Sequence, residues 1–411
     1  MKAVVFAAGR GERLWPLTET RPKHLLTLAG SPILEGTLRG LRKSGITEVL
    51  LVVNYKAEMI KSFVRGIHPG CKISFVSQAR PAGTADALRS CQLQLKDEAR
   101  FIVTYGDDYY SSSGLARFVK AASRSPDDMV AAAAVEDPSR FGRLEITKGL
   151  VTSIQEKVDK MGPARVNAGL YMLSGSVFKV LAETRVSGRG EYELTDSLGL
   201  MIRGGARIRA FPLGAKEWLG VTYPWDLLDA NKMALESRSS SMAGEVEEGV
   251  QVKGPVILAQ GSVVKSGSYL EGPLVVGKDT TVGPNSYLRP YTTIGQNCKV
   301  GAGCEVKNSV LMDYVKIPHL SYVGDSVVGE GASLGAGTVT ANLRFDGAVV
   351  RSRVKGKWID THRRKLGTIF GDNVRTGINV SIFPGVKIGP GAWVGPGVVV
   401  SRDVTSGGKL R

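Results

Sequence analysis

From Val252 onward an aliphatic residue or methionine recurs at every sixth position: Leu258, Val264, Leu270, Val276, Val282, Leu288, Ile294, Val300, Val306 and Met312. A helix repeats every 3.6 residues and a strand every two, so neither produces this spacing. A period of six specifies a β-helix, in which each hexad supplies one short strand and one corner. Small residues two places earlier support the register: Ser262, Ser268, Thr280, Ser286, Thr292, Cys298 and Cys304. Leu274 and Val310 depart from smallness without disturbing the spacing. The rhythm resumes at Val328 and Leu334, and again at Phe370, Ile382, Ile388, Val394 and Val400. His319 falls in the break between Met312 and Val328, as expected of a residue diverted from packing.

At 411 residues and 43% hydrophobic content the chain is too long for one typical core and rich enough to fill two. Residues 1–236 alternate short β-rich runs (3–8, 48–54, 73–77, 101–105 and 129–135) with stretches of helical periodicity. That alternation predicts an α/β domain with a largely parallel sheet. Residues 237–249 are polar and without pattern, which predicts a linker, and the repeat domain occupies 250–411. The hexads resemble those of the hexapeptide acyltransferases, which implies a left-handed β-helix with three hexads per coil. Positions eighteen apart then stack on one face.

A formal charge of +16 suits polyanionic partners. No helix-turn-helix, zinc-finger or RNP-like pattern accompanies it, so nucleotides and sugar phosphates are favoured over nucleic acid. No apolar run reaches the eighteen residues of a membrane span, and the opening run is too short for a signal peptide, so no membrane partner and a cytoplasmic setting are expected. Cys71, Cys91, Cys298 and Cys304 lack metal-site spacing and are expected to be reduced and structural.

The first expected strand runs into Ala7-Ala8-Gly9-Arg10-Gly11-Glu12-Arg13-Leu14-Trp15-Pro16-Leu17-Thr18, followed by Pro22-Lys23. Small residues there let backbone N–H groups approach a triphosphate. No GK[ST] follows, so it is no Walker A loop, and it is not the dinucleotide GxGxxG. The segment resembles the signature of the sugar-1-phosphate nucleotidylyltransferases. That resemblance implies a Rossmann-like α/β domain, with Ala8, Gly9 and Gly11 at the nucleotide and Arg13 and Lys23 as catalytic cations. It continues in order through Gln78, Pro81, Gly83, Thr84 and Ala85, the base-recognition segment, where Gln and Gly read a pyrimidine ring. Gly106-Asp107 matches the family's GD, whose aspartate holds Mg²⁺, and a carboxylate at a strand end is the hard-oxygen ligand Mg²⁺ prefers. Neighbouring Asp108 is an alternative ligand or a helix cap. Gly142, Glu156, Lys157 and Asn167 lie in the three segments that resemble those holding the sugar and its phosphate. Many relatives carry a second metal-binding Asp in a WxDxG segment, where this chain has Gly220 in Trp218-Leu219-Gly220. Asp226 in PWDLL is either the substitute ligand or a helix N-cap.

In the repeat domain Arg289 and Lys307 each follow an inward aliphatic and are eighteen apart, so they are expected to stack roughly 4.8 Å apart. Like charges so placed repel, which suggests an anion between them; the plain alternative is two solvated cations splaying apart. Together with His319, Tyr322 and Asn342 their spacing resembles the acetyltransferase domain of bifunctional N-acetylglucosamine-1-phosphate uridylyltransferases and their archaeal sugar-1-phosphate counterparts. The archaeal type also shares ANLRFD at 341–346 and RRKLG at 363–367. The resemblance implies that His319 is the general base toward an amine, Arg289, Lys307 and Tyr322 hold a sugar phosphate, and Asn342 orients the amino sugar. Two positions depart: Ser333 stands where the bacterial family has asparagine, and the lysine expected after the Asn342 segment is displaced, with Ala348 and Arg351 nearby. Residues 341–366 carry eight Lys or Arg against two Asp, which suits the phosphates of acetyl-CoA or a solvated loop.

The implied enzyme couples UTP or dTTP to a sugar-1-phosphate, acetylates glucosamine- or galactosamine-1-phosphate, and forms trimers through the β-helix. Two alternatives stand beside it: a monofunctional nucleotidylyltransferase whose β-helix only oligomerises, and a non-catalytic regulatory subunit. The last should have lost Arg13, Lys23 or Asp107, and all three are present.

Overall fold

The computed structural model describes residues 1–156 and 162–411. It divides into two compact units: residues 1–10 with 33–220, and residues 11–32 with 221–411.

The first unit is built on nine strands: β1 (Lys2–Ala7), β2 (Glu48–Val53), β3 (Lys72–Ser77), β4 (Arg100–Tyr105), β5 (Asp128–Val135), β6 (Gly142–Thr147), β7 (Leu150–Glu156), β8 (Ala164–Ser174) and β9 (Ile208–Pro212). Their order across the sheet is β3-β2-β1-β4-β8-β5-β9-β7-β6. The five strands expected from apolar runs are present within a residue of their predicted ends. All but the edge strand β3 are buried on both faces, which is why they read as continuous runs and not as alternations. The sheet is parallel only through β3, β2, β1 and β4, and again between β5 and β9. β8 runs antiparallel to β4 and β5, and β7 to β9 and β6, which corrects the expectation of a largely parallel sheet. The second half carries hairpins that the helix–strand alternation could not reveal.

β1 is flanked by β2 on one side and β4 on the other. The chain therefore reverses its winding at β1, and the crevice outside the carboxyl ends of β1 and β4 is where an open α/β sheet accepts ligands. Helices cover the sheet with buried apolar side chains: Leu34, Leu38 and Leu41 on α1 (Ile33–Lys43), and Leu115, Phe118 and Val119 on α4 (Ser112–Arg124). Each such side chain contributes about 1.5–3 kcal/mol by leaving water.

The second unit is a parallel β-helix. Three ladders of short strands run along it, and their inward residues form columns: Val264 on Val282, on Val300, on Ile317; and Leu270 on Leu288, on Val306, on Val323. The coil begins before the expected boundary. Ser241–Met242 and Glu245–Val246 pair with Val256–Leu258 and Val263–Val264, so half of the stretch read as a linker is the first coil. Its polarity misled because an end coil covers its neighbours and is itself covered by nothing.

The register also changes midway. Early coils advance eighteen residues per turn (Val275 onto Thr293), whereas Ile294 sits on Leu311 and Leu311 on Val328, seventeen apart. Leu311, and not Met312, is the inward residue, followed by Ile317 and Val323. The rhythm is thus shortened and not broken, and His319 lies two residues beyond an inward Ile317 at the exposed end of Lys316–His319. The diversion expected of His319 is corrected accordingly.

Residues 341–366 leave the coil as an excursion containing an antiparallel hairpin, Arg351–Val354 with Lys357–Asp360. The coil resumes when Ile369 stacks on Val327.

Candidate active sites

In the first unit the strand ends deliver the signature residues. Ala8 and Gly9 follow β1, and Gly106-Asp107 follows β4, with the Gly106 N–H donating to Phe6 O at 2.9 Å. A Cβ on Gly106 would lie 2.8 Å from Val5 Cγ1 and 2.9 Å from Phe6 O, so only glycine lets the chain bring Asp107 against the end of β1. Asp108 is buried beside it, and the N-cap of α4 is Ser111, whose Oγ accepts from Gly114 N at 3.0 Å.

Gln78 is buried, and its Nε2 donates to Gly83 O at 3.1 Å and to Asp86 Oδ2 at 2.9 Å. Both partners are acceptors, which fixes the amide orientation and leaves Oε1 as the group it can offer a ligand. Gly83 has φ 113, and a Cβ there would meet Tyr192 O at 2.4 Å. Thr84 Oγ1 accepts from Leu194 N at 2.9 Å, so its hydroxyl satisfies a free N–H at the start of α6 (Leu194–Arg203).

The three sugar segments converge. A Cβ on Gly142 would lie 2.7 Å from Glu156 Oε2 and 3.7 Å from Asn167 Cβ, so this glycine is what lets the carboxylate come in. Asn167 sits where the β8–β5 register shifts, a bulge that turns its side chain off the ladder. Its Oδ1 accepts from Gly169 N at 3.0 Å and its Nδ2 donates to Tyr171 Oη at 2.6 Å. Gly169 (φ 66) could carry no Cβ, which would stand 2.4 Å from the Tyr105 ring. Burial, with the Tyr171 hydroxyl nearby, holds the Tyr105 phenol well above its ordinary range, so both tyrosines are neutral hydrogen-bonding walls. Lys157 lies outside the described residues.

Two residues missed in the sequence belong here. Thr195 presents its Cγ2 3.5 Å from the Cβ position of Gly142, with a buried Oγ1 that has no hydrogen-bond partner among the described residues. Arg189 pairs with Glu156 at 3.2 Å and also with Glu193. Neither has a local pattern that marks it.

At Gly220 a Cβ would stand 2.5 Å from Phe141 Cε1, in a site walled by the Phe141–Trp218 ring pair. An Asp at this position would therefore require the Phe141 ring to shift. Among the described residues no group of three or more His, Cys, Asp or Glu is arranged to hold a metal.

In the second unit the segment 11–32 carries the two signature cations. Arg13 is exposed, at the centre of a 3-10 turn Glu12–Leu14, and Lys23 is buried. Thr18 Oγ1 donates to Gly11 O at 2.7 Å, and Lys23 Cβ lies 3.2 Å from the Cβ position of Gly11, so the loop folds back on itself. Asp226 is buried, and its Oδ2 accepts from Thr222 N at 2.7 Å and Tyr223 N at 2.8 Å. It ties the turn ahead of α7 (Asp226–Glu236) instead of standing as the N-cap, which is Trp225.

On the β-helix Arg289 and Lys307 do stand on neighbouring coils, with the Arg289 N–H donating to Val306 O at 2.8 Å. The repulsion expected between them is met by carboxylates: Arg289 pairs with Glu305 at 2.9 Å and Lys307 with Asp325 at 3.5 Å. Charge balance therefore requires no anion between them. Asp325, buried at 3% exposure, also accepts from Asn308 Nδ2 at 2.7 Å and Asn342 Nδ2 at 2.6 Å. Asn342 further donates to Tyr322 Oη at 3.1 Å. One carboxylate thus gathers a cation, two amides and, through Asn342, a phenol. Burial and then the negative charge of Asp325 hold the Tyr322 phenol above its ordinary range, so it is neutral. Gly324, and not Asp325, is the residue stacked on Lys307, so Asp325 reaches Lys307 from one place further along the coil, which eighteen-residue arithmetic does not reveal. His319 is exposed, and its backbone O accepts from Ser321 Oγ at 2.8 Å.

Comparison with known proteins agrees with both halves. Residues 2–237 match the Nucleotidyl transferase family, residues 270–383 the GMPPB C-terminal domain, and residues 367–402 the Hexapeptide repeat of succinyl-transferase. The chain is 39% identical over 407 residues to the bifunctional protein GlmU of Methanocaldococcus jannaschii, covering 99% of this chain and 96% of that protein. It is 41% identical over 410 residues to the bifunctional sugar-1-phosphate nucleotidylyltransferase/acetyltransferase of Sulfurisphaera tokodaii, covering 99% of each. A putative glucose-1-phosphate thymidylyltransferase from Bacillus anthracis has the fold of the first half, with TM-score 0.53 and 25% identity, covering 59% of this chain and 98% of that one. The chain belongs to the nucleotidyl transferase family, among the members that continue into a hexapeptide-repeat β-helix, the bifunctional sugar-1-phosphate nucleotidylyltransferase/acetyltransferases.

Proposed function

We propose that the chain transfers a nucleoside monophosphate from UTP or dTTP to a sugar-1-phosphate and acetylates an amino-sugar-1-phosphate with acetyl-CoA. The observation that carries the first activity is the approach of Gly142, Glu156 and Asn167 to one another. Glu156 accepts hydrogen bonds from sugar hydroxyls, and Asn167 has one N–H left to donate. The Gln78 Oε1 acceptor favours a ring that carries N3–H, as uracil and thymine do and cytosine does not. The sugar phosphate oxygen attacks the α-phosphorus in line, one P–O bond forms and another breaks, and pyrophosphate leaves. Arg13 and Lys23 neutralise the charge that builds on the phosphates.

Mg²⁺ fits the donor set offered by Asp107 with its neighbour Asp108, since this ion takes one or two carboxylates and completes its shell with phosphate and water. When bound it would supply further charge neutralisation. Asp226, the other carboxylate considered for the ion, is already committed to two backbone N–H groups.

For acetyl transfer the supporting observation is the cluster of Lys307, Tyr322 and Asn342 gathered by Asp325. The amine nitrogen attacks the thioester carbonyl, His319 takes the proton, and the thiolate leaves as CoA. The basic excursion 341–366 offers charge to the CoA phosphates. A trimer through the β-helix and a cytoplasmic setting complete the proposal, and no described helix is long and apolar enough to cross a membrane. One observation favours a scaffold β-helix instead: Glu305 and Asp325 already balance the cations that a phosphate would use. Measuring pyrophosphate release over a panel of sugar-1-phosphates and triphosphates, and CoA release with glucosamine- and galactosamine-1-phosphate, tests both activities. Absence of CoA release with either amino sugar selects the scaffold.

A further inference from the structure

The segment 11–32 that carries Arg13 and Lys23 is fastened to the β-helix by a buried ion pair. Arg21, two residues before Lys23, donates through Nε and NH2 to Asp372 Oδ2 at 3.2 and 2.6 Å, and reaches Glu330 at 2.9 Å. Thr20 Oγ1 donates to the same Asp372 oxygen at 2.5 Å. Asp372 Oδ1 accepts from Glu330 N at 2.8 Å, so the carboxylate is itself locked into a coil corner. The side chains of Arg21 and Asp372 are 12% and 6% exposed. Burial opposes the Arg21 charge, yet Asp372 and Glu330 outweigh it and raise its pKa.

A buried pair of this kind adds little net stability, because desolvation offsets the attraction, but it fixes geometry well. The fold-back of Gly11 and Thr18 onto Lys23 means that the fastening at Arg21 lies next to the residues that meet the triphosphate. We propose that Arg21 is a positioning residue for nucleotidyl transfer, and that the β-helix, through Asp372 and Glu330, is thereby part of the transferase machinery. The proposal rests on the reading of Arg13 and Lys23 as catalytic cations.

The test uses the full-length protein with its preferred triphosphate and sugar-1-phosphate. Arg13→Ala and Lys23→Ala are assayed first; if either retains wild-type pyrophosphate release, the catalytic reading of the segment fails, whatever the pair does. Arg21→Met, Asp372→Asn and the double variant are then compared. Asp372→Asn keeps an acceptor for Glu330 N, so it retains the corner if Arg21→Met does not fold. Each single variant should lose about tenfold in kcat, as expected when a catalytic group shifts by a fraction of an ångström, with the double variant no worse. Each single variant leaves a buried charge without its partner and should lower the thermal midpoint by several degrees, so kcat is measured well below those midpoints, and Arg21→Lys should recover part of the rate. If kcat stays within twofold of wild type in both singles, or falls only in step with the melting midpoint, the positioning role is overturned.

Discussion

The two candidate sites are built by opposite means. In the sheet unit, functional side chains arrive at strand ends and at one bulge, and glycines at 106, 142 and 169 clear the space into which Asp107, Glu156 and Tyr105 fit. In the β-helix one glycine, Gly324, makes room for Tyr322, whose Oη would lie 2.4 Å from a Cβ there, but the charged groups are gathered in another way. Equivalent positions on stacked coils bring Arg289 and Lys307 together, Asp325 reaches Lys307 from one place beyond its stacked partner Gly324, and Asn342 joins them from the start of an excursion. A site of strand ends is made of short contiguous motifs, whereas a site of stacked coils is made of single residues at long, regular intervals. The first should therefore tolerate changes anywhere except at its motifs, and the second should depend on the carboxylates that keep its cations apart.

The contrast can be broken at its strongest point. Asp107→Asn should lower pyrophosphate release about a thousandfold, because losing a carboxylate that holds a divalent ion removes several kcal/mol of transition-state charge stabilisation. CoA release should be unchanged. Retention of pyrophosphate release would take Asp107 out of the site.

His319→Ala is the matching change in the β-helix, with a loss of CoA release of about a hundredfold or more, as for removal of a general base. Because His319 is exposed and packs no core, the melting midpoint should hold. A stable variant that still releases CoA at the wild-type rate identifies another base.

Asp325→Ala sharpens the difference between the regions. It strips the partner from Lys307, Asn308 and Asn342 at once, at a cost of about 3 kcal/mol in unfolding free energy. Denaturant titration measures this, and CoA release should fall with pyrophosphate release spared. Gly169→Ala is its counterpart in the sheet, where a methyl 2.4 Å from the Tyr105 ring and a positive φ should cost about 1–3 kcal/mol and impair sugar binding, read as a raised KM.

The smallest effect concerns a carboxylate that, unlike Asp325, has no cation in hydrogen-bond contact among the described residues. Asp128 is buried on β5 and held by Ser174 N at 2.8 Å and Ser174 Oγ at 3.2 Å. Burial is the main cause that raises its pKa above the ordinary value. A raised folded-state pKa favours the fold at low pH, and that contribution is lost as pH rises through the raised value. Asp128→Asn should therefore gain stability relative to wild type between about pH 4 and neutrality. Melting midpoints measured across that range check the sign; a gain confined to acid pH would reverse it.

Much of this architecture was legible in the sequence because its periods are local. A residue every six positions can only be a β-helix, and the apolar runs of β1, β2, β4 and β5 name strands buried on both faces. The motifs around Gly9, Gln78, Asp107, Glu156 and Asn167 are legible for the same reason: each spans a few residues whose backbone must take one shape. What the tertiary structure decided has no such local mark. Whether Leu311 or Met312 faces inward depends on a coil shortened by one residue, which only the stacking on Ile294 reveals. That Glu305 and Asp325 balance Arg289 and Lys307, and that Asp372 holds Arg21 from 351 residues away, are facts of long-range charge pairing. The physical reason is that backbone preferences act over neighbouring residues, while electrostatic partners and van der Waals collisions such as that at Gly220 are selected by proximity in space, which the order of residues alone does not state.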